Sequence, residues 1–279
     1  MVGRARARRY SVSGLSLDAS SAYTGNADAW AAGPGRLYDR LSEAVLDAVA
    51  RPLAELRVLD VGAGTGAMSR AVRARGGSPV GVDSAPDMVA RMRADGFDAV
   101  VGDIRSLPFD DAEFDGAVAA FAISHIDDPV HALREMRRVV RDGGFVVVAA
   151  FAGVAGVSSK QTVDEVAERY GWQRPAWYEH FKMELEPQTD NEAKLRELAA
   201  AAGLAVVRIV RINVDTGVDT PHDIVSSRIG MAYLSPFVGS LSDERRGAFI
   251  TDAEAEVARN LVPLRPEVLV LDAAVQSAT

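Results

Sequence analysis

The sequence predicts an α/β fold in which helices cover both faces of a mostly parallel sheet, and three observations lead to this prediction. From residue 57 to residue 151, short apolar runs alternate with segments whose apolar residues recur at helical spacing. The 279 residues are 48% hydrophobic and 25% charged, as in a globular chain with a buried core. The alternation shows no internal repeat. Strands alternating with helices are typical of parallel βαβ units in a doubly wound sheet.

The helices and strands expected up to residue 151 are predicted from the spacing of apolar residues along the chain. Apolar residues at helical spacing between Pro34 and Pro52 predict an amphipathic helix ahead of the alternating region. The alternating region then predicts strands at 57–61, 79–83, 99–102, 116–121 and 144–151, and helices at 67–75, 86–94 and 129–141. Two of these helices begin with a proline, Pro86 and Pro129, which suits the first turn of a helix.

After Phe151 the alternation ends, and an insertion and a sheet edge are expected instead. The predicted elements are a helix at 159–170, an irregular aromatic-rich stretch up to 189, a helix at 191–202, a strand at 204–214, helices at 224–234 and from 242 or 243 to 260, and a strand at 266–275. Gly203 is a natural end for the helix before it. Two strands joined through a helical excursion predict an edge hairpin that carries a lid.

The chain is therefore expected to have four parts. They are an N-terminal arm at 1–33, an α/β core at 34–151, an aromatic-rich insertion at 152–189, and a C-terminal part at 190–279 with a helical lid at 217–262. The arm is polar and glycine-punctuated, so it is expected to be loose. Four arginines near its start are interpreted as a solvated terminus.

Composition narrows the class of function. The 31 basic and 39 acidic side chains give a net charge of −8, so general attraction to nucleic acid phosphates is not expected. No apolar run reaches the length of a membrane span, and the N-terminus lacks the hydrophobic region of a signal peptide. The chain has no cysteine, which excludes disulfides, thiolate metal ligands and thiol nucleophiles. We expect a cytoplasmic protein that acts on a small molecule, with homo-oligomerisation left open.

A glycine-rich run carries the strongest chemical signal. The predicted strand at 57–61 leads directly into Gly62, Gly64 and Gly66, and a helix follows. Without side chains at alternate positions, backbone amides and a helix N-terminus approach a polar or anionic ligand closely. The run therefore predicts a nucleotide-like cofactor. Taken alone it also satisfies the dinucleotide fingerprint G-x-G-x-x-G/A.

Three acidic residues follow neighbouring strands. Asp60 precedes the glycines, where its carboxylate either braces the loop or faces a cationic amino group. Asp83 ends the next strand about 20 residues after Gly62, the position at which a carboxylate bonds ribose hydroxyls. Asp103 and Ile104 follow the third strand and provide an acceptor and an apolar wall for an adenine. Helix capping by Asp83 and an Asx turn at Asp103 are the structural alternatives.

Over residues 55–151 this set of motifs resembles the class I S-adenosylmethionine-dependent methyltransferases. The segments that carry the resemblance are Val82-Asp83-Ser84-Ala85-Pro86-Asp87-Met88, Leu107-Pro108-Phe109 with Phe114-Asp115, Phe121-Ala122-Ile123-Ser124-His125-Ile126, and 133–144. They are most similar to the small-molecule branch, which includes enzymes of ubiquinone and menaquinone biosynthesis and of natural product biosynthesis. The resemblance implies a Rossmann-like seven-stranded sheet, six strands parallel and one antiparallel. It also implies S-adenosylmethionine as cofactor and S-adenosylhomocysteine as product.

The resemblance further implies a set of cofactor-binding residues. These are Asp60, Gly62, Ala63, Gly64, Gly66, Asp83, Ser84, Met88, Asp103, Ile104 and Phe121. His125 follows the fourth strand, where an imidazole is a candidate general base, with a structural or cofactor-facing role as the alternative. No metal is expected, because Asp127-Asp128-Pro129 is interpreted as the start of a helix.

The implied activity is methyl transfer to an O, N or C atom of a small, apolar metabolite in secondary metabolism. The methyl group is already electrophilic, so such an enzyme chiefly aligns the acceptor and excludes water. A non-methylating reaction beside the same cofactor, such as a cyclisation, is the alternative. Two further groups of side chains are candidates for contacts with ligands. The first group is expected to close over the cofactor: Tyr23, Trp30, Arg36 and Tyr38. The second group either surrounds a substrate or packs in a subdomain core or a dimer interface: Tyr170, Trp172, Trp177, Tyr178, His180 and Phe181.

Overall fold

The computed structural model describes residues 22–153 and 159–276, and its centre is a seven-stranded sheet. The strands are β1 Arg57–Val61, β2 Ser78–Asp83, β3 Asp98–Val101, β4 Phe114–Ala120, β5 Val140–Phe151, β6 Ala205–Asn213 and β7 Glu267–Ala274. Their order is β3-β2-β1-β4-β5-β7-β6, and β7 runs antiparallel to both of its neighbours. The predicted arrangement of six parallel strands and one antiparallel strand is therefore confirmed.

Eleven α-helices lie in the described ranges. They are α1 Ala27–Ala32, α2 Gly35–Val49, α3 Ala67–Ala74, α4 Pro86–Ala94, α5 Pro129–Val139, α6 Ser159–Arg169, α7 Ala176–His180, α8 Glu192–Ala201, α9 Pro221–Ile229, α10 Ser235–Ser240 and α11 Asp243–Arg259. Among the helices described, none has the length and apolar character needed to span a membrane. The strands and helices predicted between residues 34 and 151 are all present, with ends that differ by two residues or fewer for most of them.

Both faces of the sheet are buried, as expected for parallel strands between helical layers. On β1, Val58 packs on the face that α2 and α3 cover, and the next residue, Leu59, packs on the face that α5 and α8 cover. Strand β5, on the other side of β4, repeats the alternation with Val146 and Val147. This packing fixes the carboxyl ends of the central strands at one edge of the sheet.

The N-terminal arm is more ordered than expected in its described part. Residues 22–33 contain α1, so the expectation of a loose arm is wrong there, while residues 1–21, with the four arginines, lie outside the described ranges. The Ala27 amide donates to Asp87 Oδ2 at 2.9 Å, and Asn26 Nδ2 donates to the Gly230 carbonyl at 3.1 Å. These partners are distant in sequence, which is why local pattern did not predict the helix.

The aromatic-rich stretch is helical, which corrects the expectation of an irregular segment. Helix α7 continues into a π-helix, Phe181–Leu185, and a 3₁₀ turn, Glu186–Gln188. The Tyr178 ring stacks on Tyr233 with centroids 3.9 Å apart, so a contact with the other lid segment orders this stretch.

The helix predicted at 224–234 has different bounds. Helix α9 begins at Pro221, after a Thr220 side chain that accepts from the Asp223 amide at 3.1 Å, and it ends at Ile229. A separate helix, α10, follows. The expected edge hairpin is present, with β7 inside the sheet and β6 at its edge.

The arm touches the lid helices through two glycines. A Cβ at Gly230 would lie 2.5 Å from the Ala29 carbonyl oxygen and 2.5 Å from Pro34 Cδ, and a Cβ at Gly33 would lie 2.5 Å from the Ser226 carbonyl oxygen. Arm and lid therefore meet backbone to backbone, with no room for a side chain.

We predict that Gly230→Ala lowers the free energy of unfolding by about 1–3 kcal/mol, because the methyl group overpacks this contact. Urea titration would measure the change. Gly247→Ala is the matched control: Gly247 lies inside α11 and its Cβ would meet nothing within 4 Å. That variant should be neutral or more stable by up to about 1 kcal/mol. Equal effects of the two substitutions would contradict the packing argument.

Candidate active site

The glycine loop after β1 joins the ends of three strands. The Gly62 and Ala63 amides donate to the Val82 carbonyl of β2 at 2.8 and 3.1 Å. Gly62 has φ +69°, and its Cβ would lie 2.4 Å from Ala122 Cβ beyond β4, so only glycine fits. A Cβ at Gly64 would meet nothing within 4 Å. The loop is therefore packed against the strands at one end and open toward a cleft at the other.

Asp83 connects the loops after β1 and β2. Its Oδ2 accepts from the Gly64 amide at 2.7 Å, and its Oδ1 accepts from the Ala85 amide at 2.9 Å. Burial raises the pKa of the Asp83 carboxyl, and these hydrogen bonds oppose the shift. Ala85 is the N-cap of α4, so Asp83 does not cap that helix. A carboxylate has about four acceptor sites, so capacity remains on its cleft side.

Asp60 is buried, with 1% of its surface exposed. Its Oδ2 accepts from Ser69 Oγ at 2.6 Å, which braces the first turns of α3 against β1. Burial raises the pKa of Asp60 to about 6, the Ser69 hydrogen bond opposes this, and the charge of Asp83 adds to it. A buried carboxylate, Asp60, and a partly buried one, Asp83, thus lie close together at this end of the cleft, an arrangement that a cation would stabilise.

The third strand end carries an ion pair that sequence reasoning missed. Asp103 accepts from Arg105 Nε at 3.0 Å and from Arg105 Nη2 at 2.6 Å, and these hydrogen bonds lower the pKa of the carboxyl. Ile104 and Met88 are buried beside this pair. The signal was present in the sequence, since an arginine two residues after an aspartate is within reach of it.

All of the predicted site residues except Gly66 line one cleft. It is lined by Asp60, Gly62, Ala63, Gly64, Asp83, Ser84, Met88, Asp103, Ile104, Phe121 and His125. Gly66 does not line it: with φ +87°, a Cβ there would meet Met92 Cε at 3.3 Å. Gly66 therefore serves helix–strand packing and the backbone turn, and its assignment as a cofactor contact is not supported by its position.

The described part of the arm and helix α2 contribute a further wall. Tyr23, Trp30 and Tyr38 line the cleft, whereas Arg36 is exposed and does not. Burial raises the pKa of both tyrosine hydroxyls, so they stay protonated at neutral pH and do not serve as phenolate bases. Ser42 and Leu185 also line the cleft, and no sequence motif indicated them.

Phe121 follows β4 in a strained conformation. Its φ is +64°, which is unusual for a bulky residue, and its amide donates to the Ala149 carbonyl at 2.8 Å. The ring stacks on Phe151 at 4.5 Å and meets Tyr38 edge-on at 5.6 Å. Such strain is typical of functional sites, where surrounding contacts hold an unfavourable backbone.

His125 lies in a 3₁₀ turn, Ile123–His125, and its ring is enclosed by aromatic residues. It stacks on Phe181 with centroids 4.2 Å apart and an interplanar angle of 5°, and Tyr23 meets it edge-on at 5.6 Å. Burial, with a smaller contribution from Lys182, lowers the pKa of His125 to about 4. Nδ1 is buried and has no hydrogen-bond partner among the described residues. The imidazole is therefore neutral at neutral pH and retains an unused hydrogen-bonding nitrogen.

Of the remaining candidates, Asp127 lines the cleft and the others lie outside its lining. Asp128 caps α5 by accepting from the His131 amide at 3.0 Å, as predicted, and Asp127 lies 3.6 Å from His180 Nε2. Tyr170 and Trp172 support the lid, with Tyr170 donating to Asp252 at 2.7 Å and Trp172 Nε1 donating to the Tyr233 carbonyl at 3.2 Å. The ring centroid of Trp177 is 6.3 Å from that of Tyr23, which lines the cleft, and the centroid of Tyr178 is 6.1 Å from that of Phe181, but Trp177 and Tyr178 are not among the cleft residues.

Comparison with known proteins identifies the core. Residues 59–148 match the methyltransferase domain family. The demethylmenaquinone methyltransferase of Renibacterium salmoninarum is 36% identical over 137 residues, which cover 48% of this chain and 56% of that protein. The enzyme of the same name from Beutenbergia cavernae is 37% identical over 145 residues, 51% of this chain and 59% of that protein. The alignments span somewhat over half the length of these relatives.

Residues 59–148 form a class I S-adenosylmethionine-dependent methyltransferase domain.

Solved structures agree with this domain at the level of the fold. A phosphoethanolamine N-methyltransferase from Haemonchus contortus, in complex with S-adenosylhomocysteine, aligns with a TM-score of 0.58 at 17% identity, covering 95% of this chain and 61% of that one. The [4+2]-cyclase SpnF aligns with a TM-score of 0.52 at 22% identity, covering 86% of this chain and 82% of that one. The cofactor of the methyltransferase domain family is S-adenosylmethionine. The predicted family, fold and cofactor are thus confirmed.

We predict that Asp60→Asn stabilises the free protein increasingly as pH rises from 4 to 7. The carboxyl has an ordinary pKa of 3.8 and a folded-state pKa of about 6, so folding of the wild-type protein becomes less favourable as pH rises through this range. The asparagine keeps an acceptor for Ser69 and removes the buried charge. The difference in unfolding free energy between variant and wild type should grow by about 1–3 kcal/mol.

Urea titrations at pH 4.5 and 7.5 would measure this growth. Asp95→Asn, at an exposed site on the end of α4, is the control. A difference between Asp60→Asn and wild type that is the same at both pH values would contradict the burial of a charged Asp60.

Proposed function

We propose that the protein transfers the methyl group of S-adenosylmethionine to an O, N or C atom of a small metabolite with a largely apolar body. The observation that carries the proposal is the convergence of the glycine loop, Asp60, Asp83 and Ile104 in one cleft of a methyltransferase domain. Bound S-adenosylmethionine supplies an electrophilic methyl group on a positively charged sulfur. The chain's own residues then have to bind, orient and exclude water.

The residues at the cofactor end of the cleft fit such a molecule. Asp60 is buried and Asp83 partly buried, and the pKa values of both carboxyls are raised, so a cationic ligand beside them offsets the cost of their charges. Gly64 leaves open space at the loop, and Met88 and Ile104 provide apolar surface at the far end. We assign the ribose hydroxyls to Asp83, the adenine to Met88 and Ile104, and the amino end to Asp60.

The part of the cleft that we assign to the acceptor is largely aromatic, and Asp127 also lines the cleft. Phe121, Tyr38 and His125 meet there, and the tyrosine hydroxyl stays protonated. With a pKa of about 4, His125 is a weak base, so we assign it the role of orienting the acceptor through a hydrogen bond to a ring nitrogen. We therefore propose that His125 positions the acceptor, in place of the general-base role expected from the sequence.

Two alternatives for the reaction differ in their products. The curated relatives are demethylmenaquinone methyltransferases, which supports a quinone-like aromatic acceptor for this cleft. The likeness to SpnF lies in the fold alone, but it supports a cyclisation as the second candidate. Methyl transfer releases one S-adenosylhomocysteine for each methylated product, whereas cyclisation releases none. Quantifying S-adenosylhomocysteine by chromatography distinguishes the two.

We predict that saturating S-adenosylhomocysteine stabilises the protein. A ligand at 100 times its Kd adds about 2.7 kcal/mol, which appears as a shift of several degrees in Tm. Asp83→Asn should weaken S-adenosylhomocysteine at least tenfold, because an amide lacks the charge and one of the acceptors that Asp83 offers. Asp95→Asn should bind like wild type. The absence of any Tm shift at millimolar S-adenosylhomocysteine would sink the cofactor assignment.

We predict that His125→Ala reduces kcat at least tenfold and leaves the Kd of S-adenosylhomocysteine within about twofold. Because the imidazole is neutral above a pH of about 4, the ratio of wild-type to variant rates should stay constant between pH 5.5 and 8. Stopped assays across that range would measure the ratio. His131→Ala, at an exposed position on α5, is the control. If the ratio of wild-type to variant rates decreases as the pH is lowered below 6.5, His125 titrates as a base.

A further inference from the structure

Three aromatic rings in contact with one another form part of the cleft wall, and we call Trp30, Tyr38 and Phe121 the ring wall. Each of the three residues lines the cleft. The centroid of the Tyr38 ring lies 4.9 Å from that of Trp30 and 5.6 Å from that of Phe121. Tyr38 on α2 is therefore the central member, and its two neighbours reach it from α1 and from the residue after β4.

The Phe121 end of the ring wall is packed against the glycine loop. A Cβ at Gly62 would lie 2.4 Å from the Cβ of Ala122, the residue after Phe121. Phe121 itself has φ +64°, and its ring stacks on Phe151 with centroids 4.5 Å apart. The strained backbone and the stacked partner together hold this ring beside the loop that we assign to the cofactor.

The Tyr38 side of the ring wall is tied to the same loop through an arginine. Asp39, the next residue, accepts from Arg70 Nε at 3.0 Å and from Arg70 Nη2 at 2.7 Å, and Arg70 Nη1 donates to the Thr65 carbonyl at 2.8 Å. Burial raises the pKa of the Tyr38 hydroxyl, so its ring is a neutral phenol at neutral pH. The ring wall thus brings uncharged aromatic surface to the glycine loop.

The ring wall holds no cation of the chain itself. Elsewhere in the molecule aromatic rings pair with arginines: the guanidinium of Arg57 lies 4.5 Å from the centroid of Phe114, and that of Arg73 lies 3.5 Å from the centroid of Phe97. Among the described residues, no lysine or arginine lies over a ring of the wall. The attraction of these three rings for a positive charge is therefore not used by the protein's own side chains.

We propose that the ring wall recognises the positive charge of the sulfonium group of S-adenosylmethionine, with Tyr38 as its central residue. A sulfonium group has no N–H or O–H bond, so it donates no conventional hydrogen bond to Asp60 or Asp83. An aromatic ring attracts such a cation through its quadrupole, most strongly where water is excluded. The product, S-adenosylhomocysteine, has a neutral sulfur and lacks this attraction. The inference rests on the proposed function, because it assigns the ring wall to the cofactor of that function.

The test compares the Kd of S-adenosylmethionine with that of S-adenosylhomocysteine, both measured by calorimetry without an acceptor. Tyr38→Leu should weaken S-adenosylmethionine at least tenfold and S-adenosylhomocysteine by no more than about threefold, because only the first ligand has a charged sulfur. Tyr38→Phe keeps the ring, so both Kd values should stay within about threefold of wild type. Phe237→Leu, at a partly buried ring of α10 outside the cleft lining, is the matched control and should match wild type.

Fluorination of the ring separates charge recognition from packing, and it provides the readout should Tyr38→Leu not fold. Phenylalanine and its 4-fluoro, 3,5-difluoro and 3,4,5-trifluoro derivatives at position 38 have nearly the same shape and a progressively weaker quadrupole. The affinity for S-adenosylmethionine should fall stepwise, by at least fivefold across the series, while that for S-adenosylhomocysteine stays within about twofold. A flat series, or equal weakening of both ligands by Tyr38→Leu, would overturn this inference alone. Failure of both ligands to bind the wild-type protein would refute the proposed function, and the inference with it.

Discussion

The parallel pairing of β1 with β2 on one side and β4 on the other determines where every part of the site lies. Parallel strands bring their carboxyl ends to one edge, so the three loops that follow these strands have to share it. The Gly62 and Ala63 amides bond to the end of β2, and Asp83 bonds back to Gly64. These bonds hold the loops together independently of any ligand, and the arm and lid are added around them.

The core and the position of the cleft could be predicted from the sequence because their signals are local. Gly62, Asp83 and Met88 follow strand ends that the apolar pattern already marks, and β1 and α4 have the predicted bounds. The interpretation of Gly66 is the exception. Its contact with Met92 arises from helix packing, and sequence spacing does not distinguish a glycine needed for packing from one that faces a ligand.

The arm, the lid and the electrostatics of the site depend on contacts that cross the whole chain. Residues 22–33 are ordered by bonds to Asp87 and Gly230, and the 176–188 stretch by the stacking of Tyr178 on Tyr233. Periodicity within a segment carries no information about such partners. The neutrality of His125 has the same origin, because the rings of Phe181 and Tyr23 bury an imidazole whose sequence position indicated only that it adjoins the cleft.

The contact between Gly33 and Gly230 has a consequence for how this cleft can be modified. Since the two backbones touch without intervening side chains, neither position accepts another residue unless both segments move apart. The rings of Trp177, Tyr178 and Phe181, by contrast, present side chains that can be exchanged for others of similar volume. A library in the 176–188 stretch, of which Leu185 lines the cleft, can therefore vary side chains beside the cleft, whereas the seam between arm and lid restricts the library to sequences that retain both glycines.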